Sequence, residues 1–235
     1  MGRIRKAVEK ANTKVTIHVA AALISGSTLI SFIFGFARTR LMTSSYLTTY
    51  PSGYDAFVAA FKLPDFMFFL LVSGTLSVTF IPVFNQRLIT GNRKSAWELS
   101  SSMINLMAAM TLIASIVMIV FAEPIIRYIV APNLDESSMG LAVSMMRIIA
   151  INPFMFAISA VVASMQQAVG RFAFFTLAPI IYNISIVIGI VWFTNGINIF
   201  GWQVFEGGIM GVALGVALGS ILQLLISSIG LIGLG

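Results

Sequence analysis

The run AFVAAFKLPDFMFFLLVSGTLSVTFIPVF, Ala56–Phe84, decides how the chain folds. Its 29 positions hold two charged side chains, Lys62 and Asp65, and the rest is almost wholly apolar. A membrane-barrel strand alternates polar and apolar residues over about ten positions. This run does not alternate, so it reads as a helix, about 43 Å long at 1.5 Å per residue. The hydrocarbon core is only about 30 Å thick, so such a helix has to tilt, bend or protrude.

Working outward, five more apolar runs of similar character follow: Val15–Phe36 on one side, then Met103–Phe121, Leu141–Ala163, Phe172–Thr194 and Gly208–Ile229. Each approaches or exceeds the roughly 20 residues that cross a bilayer as a helix. Composition agrees. Of 235 residues, 58% are hydrophobic and 9% charged, against about 25% charged in a soluble domain. Too few charges exist to cover a water-facing surface. The expected fold is an all-α polytopic bundle of six spans, with residues 1–14 a basic N-terminal segment and 15–235 one six-helix lobe.

Several function classes drop out. There is no Cys, and His18 is the sole histidine, so disulfides, thiolate metal sites and paired-His motifs are excluded. No metal or other cofactor is expected, and no catalytic constellation points to an enzyme. A net charge of +6 does not signal nucleic acid here, because basic residues gather in the cytoplasmic loops of membrane proteins. Nine of them (Arg3, Arg5, Lys6, Lys10, Lys14, Arg87, Arg93, Lys94 and Arg171) fall on one side of the six-span arrangement. That side, with both termini, is expected in the cytoplasm. Arg127 lies opposite, with Glu123, Asp135, Glu136 and Glu206.

Six charges fall in or beside the spans: Arg38 and Arg40 at the end of the first, Asp55, Lys62 and Asp65 on the second, and Arg147 in the fourth. An ionised group at the bilayer centre costs about 2.5–3.5 kcal/mol on insertion scales. Such charges face either one another or a wet cavity. Asp55 and Lys62 are seven apart and Lys62 and Asp65 three apart, which puts all three on one side of a continuous helix. Internal ion pairs with snorkelling arginines are one reading. The other is a polar cavity for an anionic substrate, since four basic and two acidic groups sum to +2.

Pro64, Pro153 and Pro179 lie inside spans and are candidate hinges, because each removes an intrahelical hydrogen bond. Gly207, Gly211, Gly215 and Gly219 recur every four residues and predict a smooth ridge for close helix packing. No Gly-Lys-Ser/Thr follows them, so they are not a phosphate loop. Asn183, Gln166, Gln167 and Gln223 read as hydrogen-bonding groups between helices. His18 reads as an interfacial packing residue.

Certain blocks carry a family resemblance: Gly35-Phe36-Ala37-Arg38, Asp55-Ala56-Phe57, Phe61-Lys62-Leu63-Pro64-Asp65, Phe80-Ile81-Pro82-Val83-Phe84, Gly170-Arg171-Phe172 and Leu177-Ala178-Pro179-Ile180-Ile181-Tyr182-Asn183-Ile184. In order and spacing they strongly resemble the MviN/MurJ family of lipid II flippases, within the multidrug/oligosaccharidyl-lipid/polysaccharide exporter superfamily. The resemblance implies a bacterial inner-membrane transporter of two helical lobes around a cationic cavity. Its cargo would be an undecaprenyl-pyrophosphate-linked peptidoglycan precursor. Alternating access would move it from the inner to the outer leaflet, driven by membrane potential or a coupling ion rather than by ATP. Arg38 matches the family's Gly-Phe-x-Arg arginine, Asp55 its acidic residue beside the cavity, and Lys62 the lysine of its Phe-Lys-Leu-Pro motif.

The sequence departs from many members at Phe32, at Phe68-Phe69 and at Ser73-Gly74, where they carry Arg, Arg-Arg and Glu-Gly. Arg40 and Arg147 are candidates to replace the lost charge. Six spans correspond to the N-terminal lobe alone, and the apolar end reads either as the front of a longer chain whose C-terminal lobe would be a partner or as a half-transporter that dimerises. Two alternative functions stand beside flipping. One is another ion-coupled exporter of the superfamily, for polysaccharide-lipid or drug. The other is a non-transporting scaffold in envelope synthesis, for which the embedded charges should all be paired.

Overall fold

The computed structural model describes residues 13–47, 50–70, 80–199, 202–205 and 207–233. Most of the basic segment 1–14, Ser73-Gly74 and Glu206 lie outside them. Helix α1, Ile17–Met42, ends in a wide π turn at Thr43–Leu47. Helices α2 (Pro51–Phe68), α3 (Ile81–Ile89) and α4 (Arg93–Val120) follow. A short α5, Ala122–Ile125, runs into a π turn at Ile126–Val130. Then come α6 (Glu136–Ile149), α7 (Asn152–Ala168) and α8 (Ala173–Val191). Two short antiparallel strands, β1 (Ile197–Ile199) and β2 (Trp202–Phe205), precede α9, Met210–Ile229.

Local chemistry sets the helix starts. Pro51 and Pro82 open α2 and α3, where a missing N–H costs nothing. The Asn92 side chain accepts from Ser95 N at 3.0 Å and caps α4; Asp135 accepts from Ser138 N at 3.1 Å and caps α6. Within the spans, hydroxyls turn back on their own helix: Thr111 donates to Met107 O at 2.6 Å, and Ser185 to Ile181 O at 2.8 Å. Each thereby avoids leaving a polar group unsatisfied in a dry environment.

Two clusters form the core. The larger joins Ala56, Ala59 and Ala60 of α2 to Met139–Ile149 of α6, Ile186 and Ile190 of α8, and Val212, Ala213 and Val216 of α9. The smaller joins Phe84 of α3, Ala96 and Met107 of α4, and Ala157, Val161 and Met165 of α7. Helix α1 packs on α8, and α2 on α6. The outward faces are apolar: Phe32, Ile33 and Phe36 on α1 and Ile113, Ile116 and Val120 on α4 are exposed. Patches of this size do not face water on a stable monomer, and a lipid solvent accounts for them.

Among the described residues, five helical stretches are long and apolar enough to cross a membrane: Ile17–Leu47, Arg93–Val120, Glu136–Ala168, Ala173–Asn195 and Met210–Ile229. The remaining predicted run, Ala56–Phe84, is represented by α2 and α3, with 71–79 outside the described residues. Lys14 before α1, Ile89 ending α3, Arg93 opening α4, Val169 after α7, Arg171 before α8 and Gly233 after α9 all line one cavity at one end of the bundle. The end of α3 therefore lies at the same end of the bundle as the start of α1.

Three local expectations change. The first helix runs past Phe36 to Met42, so Arg38 and Arg40 sit in its last turns rather than beyond it. The expected fourth span is two helices, α6 and α7, parted at Ala150-Ile151. Pro153 lies in the first turn of α7 and cannot continue the α6 hydrogen-bond ladder. By contrast, α2 and α8 run on through Pro64 and Pro179. Pro64 is buried among the packed helices, and neighbouring helices allow a proline inside a membrane helix.

Candidate functional site

The six embedded charges sort by the helices that carry them. Arg38 is half-buried near the end of α1, whereas Arg40 is exposed. Helix α1 is tied to α8 by Asn183, whose Nδ2 donates to Ser31 Oγ at 3.0 Å and to Pro179 O at 3.1 Å. Gly35 lies beside this tie, and a Cβ there would meet Asn183 Oδ1 at 3.8 Å, an ordinary contact. Helix α2 is held by its alanine face against α6, which leaves Asp55, Lys62 and Asp65 exposed. Helix α1 packs on α8 and α2 on α6, and no extensive packing of α1 against α2 is seen among the described residues.

Arg38 and Asp65 lie within electrostatic reach of each other. Both are also within reach of Tyr182 of α8, a half-buried residue whose hydroxyl is buried. The Tyr182 hydroxyl faces the Asn152 side chain at the α6–α7 break, but neither it nor Asn152 Oδ1 has a hydrogen bond of good geometry among the described residues. Asp55 and Lys62 share a second concavity, a groove of about 370 Å³ floored by Val58 and Ala59 and walled by Val130–Leu134. Arg147, on α6, is exposed and lines neither place. The ion pairs among the described residues join Lys94 to Glu98, and Arg127 to Glu123 and Glu136. None of the six embedded charges is in such a pair.

This geometry separates what sequence spacing joined. Asp55, Lys62 and Asp65 do lie on the exposed side of α2, but Asp65 turns to Arg38 while Asp55 and Lys62 turn to the loop before α6. Arg40 and Arg147 join neither group. Tyr182 and Asn152 were missed as parts of the site. Their only signal was the combination of a polar residue, an apolar run and a nearby proline. Phe156 was missed too; its ring stacks edge-on with Phe68 at 5.4 Å and with Tyr182 at 5.0 Å, making an aromatic wall behind the charges.

The small-residue ridge is real but shorter than its spacing. A Cβ on Gly211, Gly215 or Gly219 would lie 2.6–2.8 Å from Phe193 C, Gly189 Cα or Tyr182 Cδ2 respectively, so α8 and α9 touch backbone to backbone. Gly207 belongs to the preceding turn instead. Its φ of +96° and the 2.5 Å between a Cβ and Thr194 O explain it. Gln166 links helices as expected, donating from Nε2 to Ser227 O at 2.7 Å. Gln167 is exposed, and no hydrogen bond between helices is seen for it or Gln223 among the described residues. His18 is exposed rather than packed. Among the described residues no group of three His, Cys, Asp or Glu side chains is placed to hold a metal ion.

Long apolar helices with outward apolar faces and a broken span define a multi-pass helical membrane protein. Comparison with known proteins sharpens this. The family model for lipid II flippase MurJ matches residues 44–234, and the chain belongs to that family. It is 30% identical over 209 residues to the protein named "Probable lipid II flippase MurJ" of Bdellovibrio bacteriovorus, covering 85% of this chain and 39% of that protein. The Rickettsia prowazekii protein of the same name is 27% identical over 186 residues, covering 78% and 36%. The lipid II flippase MurJ of Burkholderia cenocepacia is 24% identical over 197 residues, covering 81% and 38%. The chain thus spans 36–39% of the length of these relatives. It is a multi-pass bacterial membrane protein.

Proposed function

We propose that this chain forms one lobe of a flippase that moves a lipid-linked peptidoglycan precursor, lipid II, from the inner to the outer leaflet by alternating access. The observation that carries this reading is two basic groups on neighbouring helices, Arg38 near the end of α1 and Lys62 in the groove beside α2. Neither has an ion-pair partner among the described residues. A pyrophosphate crossing a bilayer needs positive charge in a wet path, because each unpaired charge in hydrocarbon costs several kcal/mol. The lipid tail can stay in the bilayer while the headgroup uses that path. Arg38 and Lys62 contact the anion, Asp65 orients Arg38, and Asp55 orients Lys62. Arg40 and Arg147 add positive potential from the rim. A scaffold without a path would have these charges paired, so their separation supports the transport reading.

A facing lobe is needed to close the path, and membrane potential or a coupling ion would drive it. The basic end of the bundle, with the start of α1, faces the cytoplasm in this arrangement, as positive-inside loops require. Pro64, Pro153 and Pro179 are the places where helices would flex. The test is outward exposure of lipid II in cells that depend on a full-length version carrying this lobe. Arg38→Ala and Lys62→Ala should each lower it by tenfold or more, by analogy with the roughly 2–5 kcal/mol cost of removing one partner of a desolvated charge pair. If Arg38→Ala, Lys62→Ala and Arg147→Ala all flip lipid II at the parental rate, the cationic-path reading fails.

A further inference from the structure

A cavity of about 680 Å³ lies not at the charged face but at the opposite end of the bundle. Its wall is chemically two-sided. Lys14, Arg93, Arg171 and Asn85 supply the polar part, and Leu88, Ile89, Ala168 and Val169 the apolar part. No acidic side chain lines it among the described residues.

The walls are fastened to each other. Val15 N donates to Gly170 O at 3.3 Å, which joins the start of α1 to the α7–α8 turn. Arg87 of α3 donates to Ser95 O at 2.9 Å and Ser95 Oγ at 3.0 Å, which joins α3 to the first turn of α4. Arg171 donates to Ile232 O at 3.1 Å and Gly233 O at 3.2 Å, which draws in the end of α9. Those acceptors are neutral carbonyls. Gly91 and Gly170, at φ of +76° and +78°, make the tight turns that bring the walls together.

We propose that this cavity is a binding site for the phosphate group of an anionic ligand, with the apolar wall accommodating the chain of a membrane phospholipid. Three cations from three separate loops converge on it, and basic pockets between helices at the cytoplasmic surface suit anionic headgroups. The N-terminal end of the 28-residue α4 adds its positive dipole from the Arg93 side. The ligand sits where the spans meet the headgroup layer and clamps the ends of α1, α3, α4, α7, α8 and α9. It does not rest on the transport reading, because none of its residues belongs to the α1–α2 face.

The test is a binding titration of the delipidated chain in detergent with phosphatidylglycerol, phosphatidylcholine, and inorganic phosphate and pyrophosphate. Each Lys or Arg near a headgroup surface is worth about 1 kcal/mol, or about fivefold. The Lys14→Gln/Arg171→Gln double variant should therefore bind phosphatidylglycerol about thirtyfold more weakly, and phosphatidylcholine unchanged. Lys94→Gln removes the same charge from a site that is exposed and paired with Glu98, and should stay within about twofold. If the double variant loses its helical circular dichroism, Lys14→Gln alone carries the test, with about a fivefold loss expected. Competition by millimolar phosphate or pyrophosphate, lost in the same variants, would support the phosphate site with a soluble source. Phosphatidylglycerol binding equal in parent and variants, with no phosphate binding, overturns the proposal. So does an equal loss in Lys94→Gln, which would mean diffuse charge attraction.

Discussion

Replacing Gly215 by alanine adds one methyl group where α9 meets the backbone of α8. The new Cβ would stand 2.7 Å from Gly189 Cα and 2.9 Å from Ser185 O, where carbon atoms normally rest about 3.5–4.0 Å apart. Both neighbours are backbone, so neither can rotate away, and α8 and α9 must part by about 1 Å. Overpacking of this kind costs about 1–3 kcal/mol, and here the rigid neighbours favour the upper half. Alanine returns up to about 1 kcal/mol in helix propensity, which leaves Gly215→Ala destabilising by about 1–2 kcal/mol. The same substitution at Gly26 or Gly140 meets nothing within 4 Å and should be neutral or stabilising by up to about 1 kcal/mol. The measurement is denaturant unfolding in detergent micelles, followed by far-ultraviolet circular dichroism. A stability for Gly215→Ala within about 0.5 kcal/mol of Gly140→Ala would refute the claim that backbone contact, rather than composition, holds α8 to α9.

Two further outcomes follow from single hydrogen bonds. Asn183→Ala removes the 3.0 Å tie to Ser31 Oγ and should cost about 1 kcal/mol, as hydrogen bonds between membrane helices do. In a double-mutant cycle with Ser31→Ala, additive losses would show that the tie holds nothing. Asp135, in the loop before α6, is held below the usual carboxylate range by hydrogen bonds from the Ser137 and Ser138 hydroxyls and the Ser138 amide. A depressed carboxylate contributes stability above its unfolded value and loses it as pH falls through the folded one. The α6 cap should therefore weaken on acidification below about pH 4. Asp135→Asn should flatten that acid limb, and an unchanged limb would exclude the cap as its source.

Much of the site's content was legible because membrane burial makes polar residues conspicuous. Arg38, Asp55, Lys62 and Asp65 stood out as charges in apolar runs, and three of them do share the exposed side of α2. Their grouping was not legible. Helical spacing places side chains on one element, but the Arg38–Asp65 approach depends on α1 leaning on α8 and α2 leaning on α6. Tyr182 and Asn152 were passed over for the same reason, since burial of a polar group is a property of neighbours. Pro64 illustrates the converse. Its missing N–H predicts a break, yet packing around α2 keeps the helix continuous, while Pro153, in the first turn of α7, marks a real one.

Hydropathy and charge alone determined the solvent, the helical class, the chain reversals and the residue types available for an anion, because lipid leaves a backbone few ways to satisfy its hydrogen bonds. Tertiary structure alone decided which of four regularly spaced glycines pack a helix and which one turns the chain. It also decided which charges approach each other, and that three distant loops close one basic cavity. Those outcomes depend on contacts between segments far apart in sequence, and no local period encodes the distance between two helices.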